Sequence, residues 1–473
     1  MEHFREVSDE ANDWGGPAQM SAWEALMWRA ETDRRTRSTG MLLETLDSEP
    51  DWHRFREAVA RTAQRIPRLR DRVVEPSIPV VQPVWSPYAA FDVADHVRRV
   101  PISAPGTHRQ LLEQCEVEWD RVMDRSKPPW EVILFTGLED GKAAMGFRCH
   151  HSLSDGMGLI QLLRLAHVSG GRTAPAAQHP RRGFTTGGLM VDAARSALNP
   201  ANALKLTRTG VGTAVHTAAN PIESIGSASR YVRSLTRMLQ NPEGDVSAVL
   251  STRSSGHRLS TLDIPLHELK AASAAVGGSV NDAFVAAILG GVRRYHELVG
   301  EVASERVVVA MPVSLRREND PLGGNRFAGI RFAAPGAEHD PAVRIHTVRE
   351  HVLRAREEPA IGFLDQLSPA LTRLPTPLII ELSANLTASS DVQISNIRGL
   401  TESVSLAGAQ VTRTYPLGPR PGVAMMVAMI TYGDVCCLGI NVDPQCFPDA
   451  DTFEKALTEG FDEVLALTAE DSR

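Results

Sequence analysis

The order of local patterns along the chain does most to narrow its fold. Up to about residue 168 helical and strand-like stretches alternate, and from about residue 259 to the end they alternate again. Such alternation puts helices and strands into shared layers, which is an α/β architecture. Between the two stretches the composition changes. Residues 169 to 189 are rich in Gly, Thr, Ala and Pro and read as a loop. Leu189, Met190, Val191, Ala193, Ala194, Ala197 and Leu198 then suggest a helix with one apolar side, as do Ile222, Ile225, Tyr231, Val232, Leu235, Met238 and Leu239. The expected organisation is an N-terminal lobe over 1–168, a partly helical connector over 169–258 and a C-terminal lobe over 259–473.

A chain of 473 residues is too long for one ordinary core and favours two to three domains. With 42% hydrophobic and 23% charged residues it reads as a soluble globular protein, and its net charge of −7 argues against a general nucleic-acid binder. Cys115, Cys149, Cys436, Cys437 and Cys446 form no CxxC pair, which suits a reducing compartment. The first residues lack the basic start and apolar core of a signal peptide, and no apolar run reaches the ~18 residues of a spanning helix. A cytoplasmic location is therefore expected. The longest apolar run, Val423 to Ile430, reads as a central strand that turns through Tyr432-Gly433-Asp434 into a hairpin partner at Val435 to Ile440.

From 181 to 260 the chain carries ten basic and four acidic residues, a local charge of +6. A basic, amphipathic connector can lie on an anionic membrane or lipid-droplet surface, or it can simply strap the two halves together.

Potential chemistry is densest at His150-His151-Ser152-Leu153-Ser154-Asp155-Gly156. The apolar run Ala143 to Cys149 before it reads as a buried strand, and Gly158 to Leu165 after it is helical in spacing, so the histidines sit at a strand-to-helix turn. A histidine there can take a proton near neutral pH. A structural alternative stands beside this reading: Ser152 and Asp155 have the spacing of a capping box. As a metal site the pair is weak, because no third His or Cys lies at a ligand spacing. Ser279 and Asp282 repeat the capping-box spacing around Asn281-Asp282 at the head of a helix running toward Tyr295. Ser395-Asn396 reads as the end of a Val392 to Ile394 strand, offering donors to an oxyanion or only a turn. Pro312 marks the strand closed by Met311 to Arg316 as an edge or bulge.

The blocks Met20 to Ala25, Phe91 to Arg99, Asp124 to Glu131, the histidine motif, Ser279 to Asp282, Met311 to Arg316, Gly324 to Arg326, Ser395-Asn396 and Asn441 to Pro444 come in an order that resembles the bacterial wax ester synthase/acyl-CoA:diacylglycerol acyltransferase family. The histidine motif alone is shared with peptide-synthetase condensation domains. Two departures stand out: Pro129 occupies the Leu position of the family's Pro-Leu-Trp, and Arg398 occupies the proline position of its Ser-Asn-Val-Pro-Gly.

The resemblance implies a two-lobed, chloramphenicol-acetyltransferase-like fold with mixed sheets and a tunnel between the lobes. It implies an O-acyltransferase that forms triacylglycerol or wax ester from a fatty acyl-CoA and a diacylglycerol or long-chain alcohol. His151 would be the general base and His150 its neighbour in packing. Asp155 would hold the turn through an ion pair, and Gly156 would permit close backbone approach. Asn281, Asp282, Ser395 and Asn396 would lie near the reaction centre. No metal or cofactor is expected beyond acyl-CoA as substrate. The absence of Gly-x-Ser-x-Gly and of a cysteine nucleophile signature favours direct transfer over an acyl-enzyme. Two other readings remain open: a condensation-type transferase using a carrier-bound acyl group, and a non-catalytic lipid-surface relative.

Overall fold

The computed structural model describes residues 11, 14–78, 81–167, 182–197, 247–314, 323, 325, 327–356, 372 and 374–470. The helix expected across Ile222 to Leu239, and most of the basic connector with it, lies outside the described residues.

Two six-stranded mixed sheets carry the molecule. The first contains β1 (Thr39–Leu46), β4 (Val97–Pro101), β5 (Trp130–Thr136), β6 (Ala143–His150), β11 (Ser405–Leu406) and β12 (Ala409–Leu417), in the order β11-β12-β1-β6-β5-β4. The second contains β7 (Arg258–Pro265), β8 (Arg306–Ser314), β9 (Phe327–Pro335), β10 (Val392–Leu400), β13 (Met425–Tyr432) and β14 (Val435–Val442), in the order β7-β14-β13-β10-β8-β9. A ribbon of β2 (Asp71–Val74) and β3 (Val84–Pro87) stands apart. The longer helices among the described residues are α1 (Ala22–Ala30), α2 (Trp52–Arg65), α3 (His108–Asp120), α4 (Gly156–His167), α5 (Thr186–Ala197), α6 (Leu266–Ala275), α7 (Val280–Leu298), α8 (Pro341–Arg356), α9 (Thr376–Ala388) and α10 (Ala450–Leu465). Each sheet has its own apolar core, one built around β1, β5 and β6 and the other around α7, β10, β13 and β14. The expected two-lobed α/β fold is the one observed.

The lobes exchange chain. β11 and β12 belong by sequence to the C-terminal half, yet β12 pairs antiparallel with β1, from Met41 opposite Leu417 to Leu46 opposite Val411. β12 then leads straight into the loop before β13 in the second sheet. A seam of backbone therefore runs between the lobes, and at Gly439 a Cβ would come within 2.2 Å of Pro416 O. The β13–β14 hairpin is the expected one, with Tyr432 opposite Val435 and Gly433 at φ 56° in the two-residue turn.

Pro312 is not in a bulge, and although β8 is an inner strand of its sheet, at Pro312 it is paired on the β9 side alone. β8 lies between β9 and β10, and Pro312 pairs with Gly329 of β9. Pairing of β8 with β10 stops at Ala310 opposite Gln393, so Pro312 lies just beyond the point where a missing N–H would break that ladder.

In the second lobe α7 is apolar on nearly every face and lies inside the core, as such helices must. It packs on α10 with backbone nearly touching, since a Cβ on Gly460 would meet Gly291 N at 2.3 Å. Among the described residues no single helix is long and apolar enough to cross a membrane.

At the far end of α4, the buried His167 side chain lies with Nε2 3.1 Å from Glu44 Oε1 and Nδ1 3.4 Å from Ser405 O. Burial alone would lower its pKa, but two acceptors favour the doubly protonated ring and the net shift is upward. The pair ties α4 to β1 and β11. A raised folded-state pKa gives stability that is complete below the unfolded value of about 6.5 and is lost as pH rises through the folded value. The melting-temperature difference between wild type and His167→Gln should therefore shrink from pH 5.5 to pH 9; a constant difference would contradict the pairing.

Candidate active site

β6 is buried along its whole length, flanked by β1 and β5, and it delivers His150 and His151 to the rim where the lobes meet. His151 N–H donates to Ser38 O at 2.9 Å, which ends the strand and swings the side chain out of the sheet. α4 starts at once. Asp155, 7% exposed, is its cap: Oδ1 accepts from Gly158 N–H at 2.9 Å. Ser152 does not cap this helix as the spacing suggests, because its Oγ is taken by His150 Nδ1 at 2.7 Å.

The two histidines have different surroundings. Ser152 N–H donates to His150 Nδ1 at 3.0 Å, so that nitrogen carries the lone pair and Nε2–H points at Glu31 Oε2, 3.4 Å away. Trp28 packs against the ring with centroids 5.1 Å apart. Burial would raise the Glu31 carboxyl, yet hydrogen bonds from His150, Ser38 and Thr39 hold it below its ordinary value. His150 Nδ1 is thus engaged by Ser152 while Nε2 lies within ion-pair distance of Glu31, and the side chain lines neither of the cavities described next.

His151 is half-buried where two apolar cavities meet. One, of about 260 Å³, is lined by Trp23, Leu26 and Met27 of α1, Met311 of β8, Ile330 of β9 and Leu386 of α9. The other, of about 180 Å³, is lined by Met41, Leu42, Met157, Ile160, Met426 and Ile430, with Ser154, Asp155, Ser395 and Asn396 as polar groups. His151, Pro312, Gln393 and Pro419 line both. Burial pushes the His151 pKa down, opposed by the charge of Asp155 and a hydrogen bond with Asn325 Oδ1 at 3.1 Å from Nδ1. The ring is therefore neutral at neutral pH and able to accept a proton. Cys149 also lines the smaller cavity, but burial raises its thiol to about 12, so it is protonated and a poor nucleophile.

Gly156 sits where α4 crosses β10. A Cβ there would fall 2.4 Å from Ile397 Cδ1, a side-chain neighbour and not a close backbone approach. Asp155→Ala removes the cap just after the histidine turn and should lower stability by about 0.5–2 kcal/mol along with activity. Thermal unfolding and turnover measured together test this; full stability with no activity would instead assign Asp155 a chemical task.

Ser279 and Asp282 do form the expected capping box on α7, and Asp282 also takes an ion pair from Arg349 of α8 at 3.2 Å. Asp282 faces α8 and lines neither cavity. Asn281 comes closer: its Nδ2 is 3.7 Å from Met311 Sδ, and Asn396 Nδ2 is 3.5 Å from its Oδ1. Ser395 and Asn396 do not end their strand. β10 continues to Leu400, with a register shift between Ile397 and Leu400 that puts an extra residue in the strand. Exposed Arg398 occupies that irregularity, and Gly399 N–H donates to Thr431 Oγ1 at 3.0 Å. This backbone course is reached without a proline.

Two residues without an assigned role in the sequence reading belong to the site. Gln393 lines both cavities from β10, and Asn325, 174 positions from His151, is its hydrogen-bond partner. Asn325 was legible only as part of a motif block.

Residues 20–284 match the model of the wax ester synthase/diacylglycerol acyltransferase catalytic domain, and residues 323–465 match that of the WS/DGAT C-terminal domain. A protein of Mycobacterium tuberculosis strain H37Rv named Putative diacylglycerol O-acyltransferase is 36% identical over 448 residues, spanning 93% of this chain and 90% of the relative. Among solved structures, the wax ester synthase/diacylglycerol acyltransferase of Marinobacter aquaeolei VT8 superposes with a TM-score of 0.60 at 18% identity, covering 95% of this chain and 100% of that one. The first condensation domain of the calcium-dependent antibiotic synthetase gives 0.59 at 15% identity over 96% of each chain, a likeness of fold alone. The chain belongs to the wax ester synthase/diacylglycerol acyltransferase family, and it is an acyltransferase of that type.

Proposed function

We propose that the protein transfers a fatty acyl group from acyl-CoA to the hydroxyl of a diacylglycerol or a long-chain alcohol, with His151 as general base and no covalent acyl-enzyme. The observation that carries this reading is the His151 imidazole placed where two apolar cavities meet, with burial favouring its neutral form. The two cavities would take the segments of the acyl donor and the acceptor nearest the reacting groups, which would bring the thioester carbonyl and the acceptor hydroxyl together beside His151. Exclusion of water from such walls favours transfer over hydrolysis.

His151 takes the hydroxyl proton as the alcohol oxygen attacks the carbonyl carbon. The tetrahedral oxyanion forms next to Ser395 and Asn396, which supply hydroxyl and amide donors. On collapse the carbon–sulfur bond breaks, and His151 returns its proton to the departing thiolate, leaving ester and free coenzyme A. No further cofactor takes part. Work on substrates this apolar suits a cytoplasmic enzyme that docks at a membrane or lipid-droplet surface.

The test is purified protein with labelled palmitoyl-CoA, offered hexadecanol and dioleoylglycerol in parallel. Ester in at least one tube is expected. Ester from neither, with transfer from a carrier-protein thioester instead, would replace this donor with the condensation-type one; transfer from no donor would leave a non-catalytic lipid-surface protein.

A further inference from the structure

We infer that Asn325 is a positioning residue that holds neutral His151 in the tautomer with its hydrogen on Nδ1 and its lone pair on Nε2. The inference rests on the reading of His151 as the base and adds what makes only one of its nitrogens basic.

A primary amide has two unlike ends, one that only accepts and one that only donates. Around Asn325 the surroundings decide which end points where. Its Nδ2 lies 2.9 Å from His151 O, 3.4 Å from Ser152 O and 3.3 Å from Glu24 Oε1. The first two are carbonyl oxygens, which cannot donate. Glu24 accepts as well: Oε2 takes Ser21 N–H at 2.8 Å in the capping box of α1, and Oε1 takes Asn325 N–H at 3.2 Å. Turning the amide over would aim its oxygen at three other oxygens. Oδ1 therefore faces His151 Nδ1, 3.1 Å away. Since an amide oxygen cannot donate, Nδ1 carries the hydrogen. A neutral imidazole has only one, so the lone pair is on Nε2.

The same contact has a second effect. A hydrogen bond from Nδ1–H to an acceptor supports the protonated ring, and Asn325 raises the His151 pKa against the downward pull of burial. Glu24, drawing on the far side of the amide, polarises the chain toward the same end. Three segments distant in sequence, the α1 cap, the histidine turn and the strand entry at residue 325, thus converge on one ring nitrogen.

The experiment is long-range nitrogen NMR on histidine-labelled protein, with His151 assigned from its disappearance in His151→Gln. Wild type at neutral pH should show Nδ1 protonated and Nε2 bare. Asn325→Ala should shift the population toward Nε2–H, lower kcat by about 10- to 100-fold at little-changed KM, and move the acid limb of the rate profile to lower pH. The paired exchange Glu24→Gln with Asn325→Asp keeps an acceptor at Nδ1, so it should retain the Nδ1–H tautomer and move the acid limb upward. A purely structural role for Asn325 would not move the acid limb in opposite directions in the two variants. The inference is overturned if wild type carries its hydrogen on Nε2, or if either variant shows the reverse of its expected tautomer, whatever happens to turnover. Because the NMR readout does not depend on turnover, failure of His151 as base would appear separately, as full activity in His151→Ala.

Discussion

His151→Ala should reduce acyl transfer on the order of 100-fold or more with the fold intact, while His150→Ala should be impaired less and through stability. The difference follows from where the rings point. His151 alone reaches the junction of the cavities, and its half-buried ring can be deleted without stranding a charge. His150 is 1% exposed, bonds Ser152 and lies beside the Glu31 carboxylate, so its loss loosens the turn beneath His151. The pH profile gives a second readout. Because burial holds the His151 pKa below the ordinary histidine value, its ring stays neutral to lower pH than a solvent-exposed histidine would, and if it is the base the acid limb of kcat/KM should fall below about 6.5. Steady-state kinetics of both variants across pH 5 to 8, with circular dichroism as the control for folding, decide the matter. Near-wild-type rates for His151→Ala would remove it from the mechanism.

Local signals carried much of the fold into the sequence, and long-range pairings carried the remainder out of sight. The alternation of helix and strand, the β13–β14 hairpin and the strand-to-helix turn at 150–156 each depend on neighbours within about twenty residues, so periodicity and turn chemistry reveal them. The insertion of β11 and β12 beside β1 depends on pairing across more than 360 residues, for which a single sequence has no period. Ser395-Asn396 misleads for a related reason: polar residues halfway along β10 resemble a strand end, but there they line a cavity. Ser152 misleads because a hydroxyl near a helix start has two possible partners, and only the packing of His150 against Trp28 and Glu31 decides between them. Of the histidine motif, His151, Asp155 and Gly156 line the smaller cavity, and a short motif makes them legible as neighbours. Asn325, just ahead of β9, and Gln393 of β10 come to it from the other half of the chain.

Asp443→Ala should be the most destabilising single substitution of those considered, by about 3–5 kcal/mol. Asp443 and Arg420 are both essentially inaccessible, with Arg420 Nη1 3.1 Å from Asp443 Oδ2. The carboxylate also accepts from Ser254 N–H and Oγ at 2.6 Å each and from Gln445 N–H at 2.9 Å. Arg420 in turn donates to the carbonyls of Ser254, Gly256 and Val423. Remove the carboxylate and a guanidinium remains buried with carbonyl dipoles but no counter-charge. Burial already presses the Arg420 pKa downward, the direction expected of a cation short of solvent. The consequence reaches the site, because Pro419 and Pro421, on either side of Arg420, line the larger cavity and Pro419 lies where the two cavities meet. Denaturant unfolding should show the loss of stability, and the activity of whatever protein remains folded should fall as the loop shifts. Arg420→Met with Asp443→Leu, which removes both charges and keeps apolar volume, should recover a substantial part of the stability. If the double variant is no better than Asp443→Ala, the loss comes from the carboxylate's hydrogen bonds to Ser254 and Gln445 and not from the stranded charge.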